Sequence, residues 1–316
     1  MRPKHSIIVI TYNQEHLIGR AIDSLLCQKD HVYEIIISDD CSTDNTWKVI
    51  QKYYEAHPRI IKPYRNDINL GIFGNIESTW SKAEGDIIWY LSGDDIYCDG
   101  LFKKADEALK NSKIDIRNDF YSLYFDFKRE FPNGKSNIHS NSKVLRHNPL
   151  SLKLRNLIYN RTIGVSKKVY DSYVPVKKNI GIMADGLIDI QAQLFSKINL
   201  YIPFVGSVYF AEIGIGSKTK RQKAIQSYIK CIPEYFKLLD NINNKDVKWL
   251  YYLKYRYEFE LNPNFKRFRK YTKSLFSIFS LVYGFKFIIK QFLYYAYLIF
   301  KAILSVDLFN KEGVNR

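Results

Sequence analysis

Glu34-Ile-Ile-Ile-Ser-Asp39-Asp40-Cys-Ser-Thr-Asp44 and Asp86-Ile-Ile-Trp-Tyr-Leu-Ser-Gly-Asp94-Asp95 follow one plan: an apolar run that ends in paired carboxylates. Each run has the length and composition of a β-strand buried on both faces, as in a parallel sheet covered by helices. Ligands of open parallel sheets bind outside the carboxyl ends of the strands. Carboxylates gathered there imply a divalent cation, and a cation held by one or two carboxylates usually completes its shell with phosphate oxygens and water.

Outward from these runs the pattern repeats. Residues 5–10 form another apolar strand, then Thr11-Tyr12-Asn13, then Leu17, Ile18, Ala21, Ile22, Leu25 and Leu26 at helical spacing, with Asn13 a candidate cap. Ser42 to Thr46 can cap a helix carrying Trp47, Val49, Ile50, Tyr53 and Tyr54. Arg59 to Tyr64 reads as a short strand, and the Gly/Asn loop from Asn66 to Asn75 opens a helix through Trp80. Repeated βα units with right-handed crossovers predict an α/β fold, a Rossmann-like, mostly parallel, doubly wound sheet with flanking helices. Beyond residue 114 the pattern weakens. Phe120 to Phe127 alternates like a strand, Phe131-Pro-Asn-Gly-Lys reads as a hairpin turn, and Thr162 to Ser166 as a further strand. Asp185 opens a helix carrying Leu187, Ile188, Gln191, Leu194, Phe195 and Ile198.

These motifs, in this order and spacing, resemble the family 2 glycosyltransferases of GT-A fold: Thr-Tyr-Asn, then Asp-Asp-x-Ser-Thr-Asp, then Gly-Asp-Asp after an apolar strand, then an acidic residue opening a helix. The resemblance covers roughly residues 5 to 215. It implies that Thr11, Tyr12, Asn13, Asp39, Asp40 and Asp94 bind a nucleotide-sugar, with Asp40 at the base. It further implies that Asp95, with Asp94, holds Mn²⁺ or Mg²⁺, and that Asp185 is the general base, with Asp189 one turn on as the alternative. The family often carries an acidic residue where this chain has Ser92, and Glu-Asp where it has Ala184-Asp185. In chemical terms, a metal at Asp95 would stabilise a departing nucleoside diphosphate, and one base without a second enzymic nucleophile predicts inversion. The implied reaction is transfer from a nucleotide-sugar, a UDP-sugar on family grounds, to a saccharide or lipid-linked acceptor in surface polysaccharide synthesis. Lys218, Lys220 and Arg221, after Gly214-Ile-Gly216, are candidate diphosphate or acceptor contacts.

Charge and aromatic content mark the end of the chain. Net charge is +16, and residues 201–316 hold 20 basic against 8 acidic residues, which points to a polyanionic partner. The predicted domains are 1–215, catalytic, and 216–316, a helical, basic and aromatic extension. Within the latter, residues 274–304 are apolar but interrupted, and no uncharged run reaches the ~18–20 residues of a spanning helix. Lys286, Lys290 and Lys301 fall within about a 60° arc, which suits a helix lying in a membrane interface. Lys266-Arg267-Phe-Arg269-Lys270 before it suits anionic headgroups. Packing in a homodimer is the competing reading of that helix. With no signal peptide at Met1-Arg-Pro-Lys-His, the expected location is cytoplasmic, peripheral on the inner face of the membrane.

Other classes fit less well. Cys27, Cys41, Cys98 and Cys231 have no zinc-site or disulfide spacing. A dinucleotide dehydrogenase would carry Gly-x-Gly-x-x-Gly after the first strand. A processive synthase would need several spanning helices and Gln-x-x-Arg-Trp. A nucleotidyltransferase would share the carboxylates but release pyrophosphate. A nucleic-acid-binding protein would leave the carboxylates unexplained, so no nucleic-acid partner is expected.

Overall fold

A computed structural model of the chain describes residues 2–145, 161–174, 185–211, 221–238, 244–262, 266–267 and 269–274. The chain divides into two compact units, 1–219 and 220–316.

In the first unit β1 (His5–Thr11), α1 (Ile18–Leu26), β2 (Val32–Asp39), α2 (Thr46–Ala56), β3 (Ile61–Arg65), α3 (Gly71–Glu77) and β4 (Ile87–Ser92) alternate as the patterning predicts. Then come β5 (Ile96–Tyr97), α4 (Leu101–Lys110), β6 (Tyr121–Glu130), β7 (Ser136–His139), β8 (Ile163–Ser166), α5 (Lys167–Asp171), α6 (Asp185–Phe195) and β9 (Ile198–Phe210). Strand order is β3-β2-β1-β4-β8-β6-β9-β5, with β7 paired to β6. The β3-β2-β1-β4 half is parallel, as a run of βα units requires. Beyond β4 the sheet becomes mixed: β8 is antiparallel to both β4 and β6, β6 runs parallel to β9, and β5 is antiparallel to β9.

Alternation along the central strands explains why they read as unbroken apolar runs. Ile7, Val9, Ile35, Ile37 and Trp89 pack with α1 and α4 on one face, while Ile8, Ile36 and Ile88 pack with Ile76, Val169 and Ile188 on the other. The Phe131–Lys135 turn forms as expected, closed by Phe131 N–H to the Lys135 carbonyl at 2.9 Å, and joins β6 to β7. Ile198, assigned by spacing to the helix after Asp185, instead starts β9. The helix ends at Phe195, and the Lys197 and Ile198 amides donate to the Phe120 carbonyl, beginning a new ladder.

The second unit contains α7 (Arg221–Leu238), with Pro233 inside it, and α8 (Asn244–Leu261). Tyr252, Phe259 and Tyr271 are buried within it, the Phe259 and Tyr271 rings stacked at 6.0 Å. No helix among the described residues is long and apolar enough to cross a membrane. The apolar segment 274–304 lies, after Ser274, outside the described residues.

Candidate nucleotide and metal site

Register brings the two carboxylate pairs to one edge. Thr11 at the end of β1 pairs with Asp39 of β2, and Ile10 with Ser92 of β4, so the loops after β1, β2 and β4 leave the sheet side by side. The Asp40 amide donates to the Thr11 carbonyl (3.0 Å), and the Gly93 amide to the Ile10 carbonyl (2.9 Å). Gly93 allows this approach, because a Cβ there would stand 3.0 Å from both Cβ and Oγ1 of Thr11.

The loop after β1 is clasped to the loop after β2. Asn13, at φ 51°, donates its N–H to Ser42 Oγ (2.9 Å) and accepts from the Thr43 amide at Oδ1 (2.8 Å). It is therefore not the helix cap that the spacing suggested: α1 begins after Leu17, with no side-chain cap. Asp44 does cap locally, with Oδ1 accepting from the Thr46 amide (2.9 Å) and Oδ2 from the Glu15 amide (3.2 Å). Burial alone would raise the Asp44 carboxyl, but these bonds hold it below its ordinary value.

Asp39 and Asp40 are both buried and already engaged. Asp39 accepts from the Ser42 amide and hydroxyl and sits 3.2 Å from Arg65 Nε. Burial nonetheless pushes its carboxyl above the ordinary value. Asp40 Oδ1 accepts from Asn66 Nδ2 (2.9 Å) and the Leu70 amide (2.8 Å), which folds the 66–70 loop over the edge. Thr11 Oγ1 donates to Gln14 Oε1 at 2.7 Å, and Tyr12 is half-buried beside it.

Asp94 and Asp95 form the second pair, also buried. Asp95 Oδ1 accepts from the Phe210 amide (3.2 Å), and Oδ2 lies 3.3 Å from Arg161 Nη1. Desolvation pushes the Asp95 carboxyl up to about 7, raised further by Asp94 and opposed by Arg161, the Phe210 amide and Arg20. Asp94 Oδ1 is buried without a hydrogen-bond partner. Arg20, from α1, donates to the Asp94 carbonyl and lies over the Phe210 ring at 3.8 Å, with its Nε buried and unpartnered. No cluster of three His, Cys, Asp or Glu among the described residues could hold a metal. The donor set that fits a cation is thus two carboxylates, one with an unclaimed buried oxygen, leaving the remaining positions to phosphate and water.

Spacing alone missed Arg20, Arg65, Asn66 and Arg161. The three arginines belong to no local motif and Asn66 marks only the start of a Gly/Asn loop; they reach the edge from α1, from the end of β3 and from just before β8. Asp185 starts α6, but its side chain lies outside the description; Asp189 is half-buried one turn on. Lys218 and Lys220 lie outside the described residues, and Arg221 begins α7 in the second unit, its side chain likewise undescribed.

A Rossmann-type parallel half-sheet with two acidic pairs at its carboxyl edge, continued by a mixed half, defines an α/β protein of GT-A-like architecture. The family model "Glycosyl transferase family 2" matches residues 6–165, and the chain belongs to that family. It is 35% identical over 110 residues to the GalNAc(5)-diNAcBac-PP-undecaprenol beta-1,3-glucosyltransferase of Campylobacter jejuni, across 34% of this chain and 36% of that protein. It is 30% identical over 122 residues to the UDP-Glc:alpha-D-GlcNAc-diphosphoundecaprenol beta-1,3-glucosyltransferase WfaP of Escherichia coli, across 39% and 47%. The matches span about a third to a half of these two proteins, and 28% of an uncharacterized protein of Mycobacterium tuberculosis that is 36% identical over 97 residues. Among solved structures, S. aureus TarS in complex with UDP-GlcNAc superposes with a TM-score of 0.63 at 18% identity, over 86% of this chain and 79% of that one. The mannosyltransferase PcManGT of Pyrobaculum calidifontis, in complex with GDP-Man and Mn2+, gives 0.55 at 17% identity, over 97% and 81%. At these identities the two structures support the fold alone.

Proposed function

We propose that the protein transfers a sugar, with inversion and divalent-metal assistance, from a UDP-sugar to a hydroxyl of a saccharide or lipid-linked acceptor in surface polysaccharide synthesis. The observation that carries this reading is the buried Asp94–Asp95 pair at the carboxyl edge, with Asp94 Oδ1 unclaimed and Asp39–Asp40 at the same edge on β2, across the intervening β1. The UDP-Glc and the diphosphoundecaprenol named for the E. coli relative support the donor and acceptor classes.

In this reading the loop network around Asp40 receives the nucleoside, with Thr11, Tyr12 and Asn13 as the pocket wall. Asp94 and Asp95 hold Mn²⁺ or Mg²⁺, which would neutralise the charge that develops on the leaving diphosphate. Arg20, fixed over Phe210, adds positive charge to the same place. Asp185, at the start of α6, takes the acceptor's proton as the new bond forms. The basic 266–270 cluster would bring the chain to an anionic membrane surface on the cytoplasmic side, where a lipid-linked acceptor resides.

Thermal melting with UDP, GDP, CDP and ATP, each with and without Mn²⁺, tests the site. Stabilisation by UDP that needs both metal and Asp95 is expected; no response to any nucleotide from folded protein would reject the reading. Release of UDP rather than pyrophosphate separates sugar transfer from nucleotidyl transfer. Asp185→Asn should keep the UDP response and lose transfer, and normal transfer by that variant would remove the base assignment. Deleting residues 266–316 should move the protein from the membrane to the soluble fraction, and unchanged membrane recovery would remove the surface-binding assignment.

A further inference from the structure

Two guanidiniums flank the Asp94–Asp95 pair, and they are held differently. Arg20 is anchored by α1, by the Asp94 carbonyl and by the Phe210 ring. It touches the backbone of the pair, not a carboxylate. Arg161 is the cation on the Asp95 side chain, and its hold is loose: 3.3 Å is long for a charge-assisted bond, which typically lies near 2.7–2.9 Å. Its side chain is 42% exposed, and its guanidinium lies 3.6 Å from the centre of the Tyr209 ring, a second seat that needs no carboxylate. The other Asp95 oxygen is committed to the Phe210 amide. A divalent cation on Asp95 thus either competes with Arg161 for Oδ2 or sits beside it on the same carboxylate, and a guanidinium and a dication that close repel each other strongly.

We propose that Arg161 holds the cation seat of Asp95 in the free protein and shifts to the donor's diphosphate when metal and nucleotide bind. This rests on the metal-assisted reading above. The consequence is ordered loading: metal alone competes with Arg161 and binds weakly, whereas metal with a nucleoside diphosphate offers the displaced guanidinium a new anionic partner. Planar guanidinium donors suit phosphate oxygens, and stacking on Tyr209 would limit the entropy lost in the exchange. Arg161 is thus a positioning residue whose removal changes metal and nucleotide binding in opposite directions, which a purely structural ion pair would not do.

The test is Mn²⁺ binding followed by electron paramagnetic resonance, with wild type and Arg161→Gln, each with and without UDP, and Asp95→Asn as the control for Mn²⁺ held by UDP in solution. Arg161→Gln should bind Mn²⁺ alone about fivefold more tightly than wild type, the scale of a half-exposed ion pair. It should bind UDP with Mn²⁺ about fivefold more weakly. Unchanged or weaker binding of Mn²⁺ alone overturns the proposal while leaving the metal reading intact. Absence of Mn²⁺ binding in wild type, with or without UDP, overturns the metal reading and the proposal with it.

Discussion

The two ends of β1 both bury charge, and they treat it in opposite ways. At the amino end, Asp106 of α4 accepts from His5 Nε2 (3.0 Å), His31 Nδ1 (2.8 Å) and Arg2 Nε (3.2 Å). Trp89 Nε1 donates to His5 Nδ1 at 2.9 Å, and an indole only donates, so the His5 proton sits on Nε2 and points at Asp106. Nearby, Glu34 Oε1 accepts from Ser6 Oγ and the Glu84 amide, and Oε2 meets Lys62 Nζ at 2.6 Å. At the carboxyl end, Asp94 Oδ1 and Arg20 Nε are buried without partners, and Asp95 is paired loosely. A buried polar group left unpaired costs about 1–3 kcal/mol. The Asp106 cluster at the amino end meets its charge with three donors and holds the fold; the Asp94–Asp95 pair leaves an oxygen unmet, as expected of a place built for a ligand.

The largest predicted effect separates the two ends. Asp95→Asn should lower transfer by about 10²–10³-fold, the scale of losing one group that stabilises transition-state charge. The thermal midpoint of the unliganded protein should hold or rise, because the variant removes a buried charge. Steady-state turnover and melting of one preparation check both. A large drop in stability would mean that the carboxyl end is also a structural clasp, and the contrast would collapse.

Next in size is Gly164→Ala, on the amino-end side of the ledger. Gly164 of β8 lies opposite Trp89 of β4, and a Cβ there would stand 2.6 Å from the indole. The indole cannot retreat easily, since His5 holds its Nε1 and the Phe102 and Phe125 rings pack against it at 5.5 and 5.9 Å. A loss of about 3 kcal/mol is expected, at the upper end of overpacking costs, read from denaturant unfolding with tryptophan emission. A loss below ~1 kcal/mol would show that the sheet around Trp89 gives way more readily than the packing implies.

What was legible in the sequence follows the same division. The βα repeat from His5 to Ser92 and the carboxylates at its edge could be read because strand alternation, helix spacing and edge position are local properties. The partners of those carboxylates could not. Arg161 reaches Asp95 across 66 positions and Asn66 reaches Asp40 across 26, and neither carries a mark that distinguishes it from surface residues of its type. β5, two residues long, and β9, which begins three residues after a helix, were missed because tertiary pairing, not propensity, makes them strands. Asn13 misled for an instructive reason: the residue type that caps helices also tolerates positive φ, and here the second property is the one used.

A smaller effect tests the amino end by pH. Burial pushes His5 down; burial alone would raise Asp106, but bonds from His5, His31 and Arg2 outweigh it and hold the carboxyl low. For Asp106, whose folded value is depressed, the stabilisation is present above its unfolded value of ~3.9 and is lost as pH falls through the folded value. For His5, also depressed, the folded form resists protonation, so stability declines as pH falls below ~6.5. Both act in the same direction. Asp106→Asn should cost about 1–3 kcal/mol at pH 7 and make the decline below pH ~4 shallower. Urea midpoints at pH 7, 5 and 3.5 measure it, and an unchanged acid slope would mean that other carboxylates dominate.

The smallest effect falls at the carboxyl end, where the exposed Asn13 ties two loops together. Its backbone at φ 51° costs an ordinary L-residue about 1–2 kcal/mol, which glycine escapes. Its Oδ1 bond to the Thr43 amide is solvent-exposed and contributes about 1 kcal/mol or less. Asn13→Gly removes the bond but not the backbone conformation, whereas Asn13→Ala removes the bond and adds strain. Ala should therefore be the less stable by about 1 kcal/mol. The UDP response should weaken in both, because losing the Oδ1 bond to Thr43 loosens the segment whose neighbouring Ser42 bonds Asp39. If the two variants melt alike but lose UDP unequally, the role of Asn13 is direct contact with the nucleoside and not the bracing of the Asp39 loop, and the carboxyl end would owe its order to ligand more than to its own hydrogen bonds.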